Sequence, residues 1–207
     1  MYRLYARKGA GSMAVEALLA ECAAPYQVTE LDRDSDNRFP ESFQRINPRS
    51  EVPTLILPDD SVMTESAAIM IYLADLHPAA GLAPAVTSPV RGRYLRWMVY
   101  MATTLYMSDL RLYYPHRYTT DPAGVPGIKA FAESGMAREF AILADAVGEG
   151  PYLLGGQFSA VDLYAAMLVS WDPDMIGMLA RHPTLRRLYD NVVSRPAVAA
   201  VWRRNGL

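Results

Sequence analysis

The chain has 207 residues, 51% of them hydrophobic and 20% charged, and a chain of this length buries about 70% of its unfolded surface, enough for a proper core in one domain or two small ones. Twenty basic side chains against 22 acidic ones leave a net charge of −2, which gives no footing for nucleic acid, and no run nears the ~18 apolar residues of a membrane span. The basic residues near Met1 precede no apolar run of the signal-peptide kind, so a cytoplasmic protein is expected. The single cysteine, Cys22, excludes an intrachain disulfide and a thiolate-rich centre, and His77, His116 and His182 lack ligand spacing, so no metal is expected.

Residues 1–79 alternate strand and helix signals. "YRLYA" (2–6) fits a strand, and after the turn "KGAGS" a helix carries Val15, Leu18, Leu19 and Cys22 at helical spacing, which puts the cysteine on a buried face as a core thiol. "YQVTELD" (26–32) is a second strand. A weak helix or irregular turn covers about 38–46 and ends at Asn47-Pro48. "PTLIL" (53–57) and "SVMT" (61–64) are two strands joined by a Pro-Asp-Asp turn, and "SAAIMIYLADL" (66–76) is an apolar helix. The order βαβαββα implies a mixed sheet covered by helices: a crossover makes the first two strands parallel, and a hairpin makes the last two antiparallel.

Residues 80–87 are a Pro- and Ala-rich linker, and 88–207 show no convincing strand. A long helix opens at Ser88-Pro89 and runs through "VRGRYLRWMVYMATTLYMSDL". The break "TTDPAGVPG" leads into a second helix that ends near Gly148. "FSAVDLYAAMLVSW" holds the clearest helix start, with Ser159 as cap, Asp162 as its capping-box acid and Phe158 and Leu163 as an apolar staple. "HPTLRRLYDNVVSRP" and "AVAAVWRRN" supply the last helices. The fold class is therefore an α/β domain followed by an all-helical one.

Two features of the first domain ask for more than folding. Val52-Pro53 stands at the start of a strand, where proline forfeits a ladder bond, and Glu65-Ser66 stands at the mouth of a helix. "NPRSEVPTL" (47–55), "TESAAIMIYLA" (64–74) and "FSAVDL" (158–163), in that order across nearly the whole chain, resemble the glutathione S-transferase superfamily. The resemblance implies a thioredoxin-like first domain that binds glutathione as co-substrate, and a homodimer.

It also implies roles for named residues. Pro53 would be cis and turn the N–H and C=O of Val52 outward, to pair with the cysteinyl part of glutathione as an added strand. Ser66 and the free N–H groups of its helix would hold the γ-glutamyl carboxylate, and Glu65 the α-ammonium. Arg38 and Arg49 are both candidates for the glycyl carboxylate. The thiol must titrate below its usual value near 8.5 to act as a nucleophile. Ser12 at the start of the first helix is the expected donor to the thiolate, with Tyr5 as its rival and Arg7 or a backbone N–H as further options.

One departure matters. In the bacterial beta-type pattern a cysteine stands where this chain has Gly11, so a mixed disulfide between the protein and glutathione is not expected. For the electrophile pocket the candidates are Met13, Tyr106, Arg111, Tyr114, His116 and Trp171; the run "LYYPHRYTT" (112–120) gathers three tyrosines, a histidine and an arginine beside a helix break. The leading reading is a transferase that presents glutathione thiolate to an apolar or aromatic electrophile. A glutathione-dependent peroxidase, disulfide reductase, dehalogenase or aryl-ether-cleaving enzyme shares the same thiolate. A non-catalytic ligand-binding copy of the fold is the reading of a different class.

Overall fold

The computed structural model describes residues 1–207, and the chain divides into two compact units, Met1–Ala85 with Val193–Leu207, and Val86–Val192. In the first unit β1 (Tyr2–Ala6), β2 (Tyr26–Glu30), β3 (Thr54–Ile56) and β4 (Val62–Met63) form one sheet in the order β2-β1-β3-β4. β1 runs parallel to β2, with Leu4 opposite Val28, and antiparallel to β3, with Leu4 opposite Leu55; β3 and β4 form the hairpin. This is the mixed, thioredoxin-like sheet that the alternation of strands and crossover helices requires.

α1 (Ser12–Glu21) and α3 (Ser66–Leu76) pack together, burying Val15, Leu18 and Leu19 on the one and Ile69, Met70 and Leu73 on the other. Each such side chain contributes about 1.5–3 kcal/mol relative to exposure. The weak helix signal around 38–46 condenses to one turn, α2 (Glu41–Gln44), whose Phe43 joins Leu31 and Phe39 in a small cluster that Tyr5 and Val52 lean against. Cys22 falls at the C-terminal cap of α1 and is half-buried, not within the core; burial pushes its thiol up to about 11, so it stays protonated and inert.

The second unit is all helix: α4 (Arg91–Tyr100), α5 (Tyr106–Tyr113), α6 (Val125–Val147), α7 (Ala160–Val169), α8 (Met175–Arg181) and most of α9 (Pro183–Val193). The long helix expected from Ser88 is interrupted by a π-helical turn over Met101–Leu105, which divides it into α4 and α5. α7 opens as expected: the N–H and O–H of Ser159 both donate to Asp162 Oδ2, at 2.8 and 2.9 Å. Asp162 Oδ1 also accepts the N–H of Leu153, which ties the preceding loop to the helix. The last helix, α10 (Pro196–Arg204), departs from the boundary at residue 88: it packs on α1 and belongs to the first unit.

Candidate functional site

The turn from Asn47 to Thr54 is built by one buried side chain. Asn47 Nδ2 donates to the carbonyl of Glu51 and to Thr54 Oγ1, both at 2.9 Å, and its Oδ1 accepts the N–H of Arg49 at 3.0 Å. With Thr54 Oγ1 also donating to the Glu51 carbonyl at 2.9 Å, the polar atoms of both buried side chains are occupied. The Val52-Pro53 bond is cis. Pro53 is buried against the sheet and Val52 half-exposed, and the N–H and C=O of Val52 make no hydrogen bond within the chain. Asn47 was legible only as a turn residue; its role as the brace behind Val52 is a contact across the loop.

Glu65 is the N-cap of α3, but its side chain caps nothing and its backbone sits at φ 67°, ψ 103°. A residue with a Cβ is strained there by about 1–3 kcal/mol. The strain holds the exposed Glu65 carboxylate and half-exposed Ser66 together at the N-terminal end of α3, where backbone N–H groups face outward. Arg49 feels the charge of Glu65, but its guanidinium is committed to Glu51, with Nη2 at 2.9 Å and Nε at 3.2 Å. Arg38 is exposed and its guanidinium makes no ion pair; its backbone is engaged with Asp34, its N–H donating to Oδ1 at 2.8 Å and its carbonyl accepting the Asp34 N–H at 2.9 Å.

The β1–α1 loop differs from expectation at Ser12. This side chain is 1% exposed; its Oγ accepts the N–H of Arg7 and donates to the Arg7 carbonyl, both at 3.2 Å. Its single proton is therefore used inside the loop, and the N-cap of α1 is Gly11. Tyr5, half-buried near the end of β1, has its ring 5.3 Å from that of Phe43 and tilted 40° to it, packs like Val52 against the Phe43 cluster, and its hydroxyl has no partner within the chain. Met13 is fully buried in the core of the first unit, so it lines no pocket.

The remaining pocket candidates lie in the second unit and fall into separate contacts. Tyr106 stands edge-on to Trp171 at 5.0 Å and stacks on Tyr164 at 6.4 Å. Arg111 lies 5.4 Å over the ring of Tyr118, while Arg117 covers Tyr114 at 4.2 Å with the exposed His116 beside it. The run 112–120 is thus a set of arginine–aromatic pairs at the surface. A cavity of about 210 Å³ opens in the same unit between Leu112, Met136, Asp172 and Met178; it includes none of the candidate residues. Near it lies a group the sequence did not flag: Asp109 is buried, neither of its oxygens has a hydrogen-bond partner, and burial followed by the charges of Asp172 and Glu139 raises its carboxyl to about 8.

Comparison with known proteins bears on both units. Residues 12–76 match the model of the glutathione S-transferase N-terminal domain, and residues 113–203 that of the C-terminal domain. The chain is 28% identical to the uncharacterized GST-like protein YncG of Escherichia coli K12, over 99% of this chain and 98% of that protein. It is 27% identical to glutathione S-transferase GstA of Escherichia coli O157:H7, over 82% and 81% of the two chains. A crystal structure of a glutathione transferase homolog from Sulfitobacter with bound glutathione superposes with a TM-score of 0.90 at 29% identity, covering 100% of this chain and 99% of that one.

Proposed function

This chain belongs to the glutathione S-transferase superfamily, and we propose that its first unit binds glutathione and activates the thiol for attack on a small electrophile. In this reading the cysteinyl backbone pairs with the free N–H and C=O of Val52, beside the cis Pro53. The N-terminal end of α3 and Ser66 take the γ-glutamyl carboxylate, and Glu65 takes the ammonium. Arg38, whose guanidinium is not spent on a neighbouring acid, takes the glycyl carboxylate in preference to Arg49. The observation that carries the reading is Glu65 at a left-handed cap: its carbonyl starts α3 by accepting the N–H of Ile69 at 2.9 Å, but its side chain makes no capping bond, so folding alone is served as well by an unstrained glycine.

Thiolate stabilisation is assigned to the N-terminal end of α1 and to the hydroxyl of Tyr5. Ser12 shapes the loop instead, because its hydroxyl is spent there, accepting the N–H of Arg7 and donating to the Arg7 carbonyl. The thiolate attacks an apolar or aromatic electrophile. A homodimer belongs to the same reading; Leu95 and Val99, one turn apart and exposed on α4, give apolar surface for a second copy, and sedimentation velocity tests it. Calorimetric titration with glutathione tests the binding site. Ser66→Ala and Glu65→Gln should each weaken binding about tenfold, equivalent to about 1.4 kcal/mol. Equal affinity in wild type and both variants would remove this site from the account.

A further inference from the structure

The β1–α1 loop is held from outside by the end of the chain. Its inner side is closed by Ser12 and by the Ala10 N–H, which donates to the Arg7 carbonyl at 3.1 Å. Its tip is Gly9, at φ +68°, and the N–H of Gly9 donates to Asn205 Oδ1 at 3.0 Å, from a residue 196 positions away.

Asn205 is itself fixed with unusual completeness. It is the C-cap of α10, and the residues after it form a Schellman motif: the Gly206 N–H donates to Arg203 at 3.1 Å, the Leu207 N–H to Trp202 at 3.1 Å, and Gly206 takes φ +87°. The other arm of its amide, Nδ2, donates to the Val201 carbonyl at 2.9 Å, which orients Oδ1 toward the loop. On both sides α10 is pinned to α1: Arg195 forks onto Glu21 through Nε at 3.0 Å and Nη2 at 2.6 Å, and Arg204 pairs with Glu16, which is 2% exposed. A buried Glu16 without Arg204 would be an unpaired charge in the core of the first unit.

We infer that Asn205 is a positioning residue for thiol activation: through Gly9 it sets the loop that leads into α1, and thereby the direction in which the first N–H groups of α1 point. The inference rests on the reading of that helix end as the thiolate site. Asn205 touches no substrate; it acts through the loop. The acceptor oxygen is the element that matters, so leucine of similar size removes the function, and aspartate, which keeps an acceptor for Gly9 but loses the bond to the Val201 carbonyl, restores part of it. Without the anchor the loop samples other conformations, and the alignment of N–H dipoles that favours the thiolate over the thiol is weakened.

The test compares wild type, Asn205→Leu and Asn205→Asp. Each is titrated with glutathione across pH by the ultraviolet absorbance of the bound thiolate, with the melting temperature measured in parallel. In Asn205→Leu the bound thiol should titrate about one pH unit higher than in wild type, a tenfold smaller thiolate fraction on the acid side, and the Gly9 amide should exchange its hydrogen faster. In Asn205→Asp both should return toward wild type. If Asn205→Leu titrates as wild type does, or if both variants shift equally in step with their melting temperatures, the positioning role is wrong while glutathione binding stands. If wild type itself binds no glutathione, the thiolate site is wrong and this inference falls with it.

Discussion

Replacing Asp109 with asparagine should flatten the pH dependence of stability between pH 6 and 8. In wild type the carboxyl is 2% exposed, without a hydrogen-bond partner on either oxygen, and raised from 3.8 to about 8 by burial first and then by Asp172 and Glu139. The folded chain therefore keeps a proton that the unfolded chain releases near 3.8, so this group's contribution is fully present below 3.8 and is lost as pH rises to about 8. At about 1.4 kcal/mol per pH unit, the loss across the two units from pH 6 to 8 is about 3 kcal/mol at most, and water reaching the carboxylate reduces it. Asp162, the other strongly raised carboxyl, titrates near 6 and contributes mainly below this window. Urea unfolding at pH 6 and pH 8, followed by tryptophan fluorescence, should show wild type losing about 1–3 kcal/mol more than Asp109→Asn over this interval. Equal pH dependence in the two proteins would refute the reasoning, and so would a wild type that gains stability with pH relative to the variant.

Other substitutions probe other links in the account. Glu65→Gly should relieve backbone strain, raising stability by about 1 kcal/mol once the added freedom of the unfolded chain is counted, while glutathione affinity falls; paired melting and calorimetry measure both. Asp162→Ala should cost about 2–4 kcal/mol in urea unfolding, because the N–H groups of Leu153 and Ser159 lose their acceptor in a buried site. Arg38→Ala should raise the dissociation constant for glutathione about tenfold, whereas Arg49→Ala should change it little, since Arg49 is held by Glu51.

The parts of this structure legible in the sequence are those whose cause is local. β1 coincides with "YRLYA" because its alternation is complete within five residues, and the start of α7 is set by Ser159 and Asp162, three positions apart. The π-helical turn at Met101–Leu105 is not local in this sense: the residues are ordinary helix residues, and the turn depends on how the helix packs against α6 and α7. α8 was missed because seven residues behind Asp172-Pro173-Asp174 make too short a run to show a period.

The candidate site divides along the same line. Val52-Pro53 and Glu65-Ser66 stand out as residue types in improbable places, and they sit on the turn and helix end expected of them. Ser12 looked like a free donor because serine at a helix start usually faces solvent or caps; the loop folds back so that Arg7 consumes the hydroxyl. Asn47 and Asn205 carry no sequence signal beyond a turn and a helix end, because what each does is decided by a partner elsewhere in the fold.

The most direct test of the central claim is the pH titration of glutathione bound to the wild-type protein, read as thiolate absorbance, beside Tyr5→Phe and Ser12→Ala. The account predicts that glutathione binds, that its thiol titrates well below the free value of about 8.5, and that Tyr5→Phe moves the titration upward further than Ser12→Ala does. Absence of binding, or a bound thiol that titrates as it does in free solution, would contradict it.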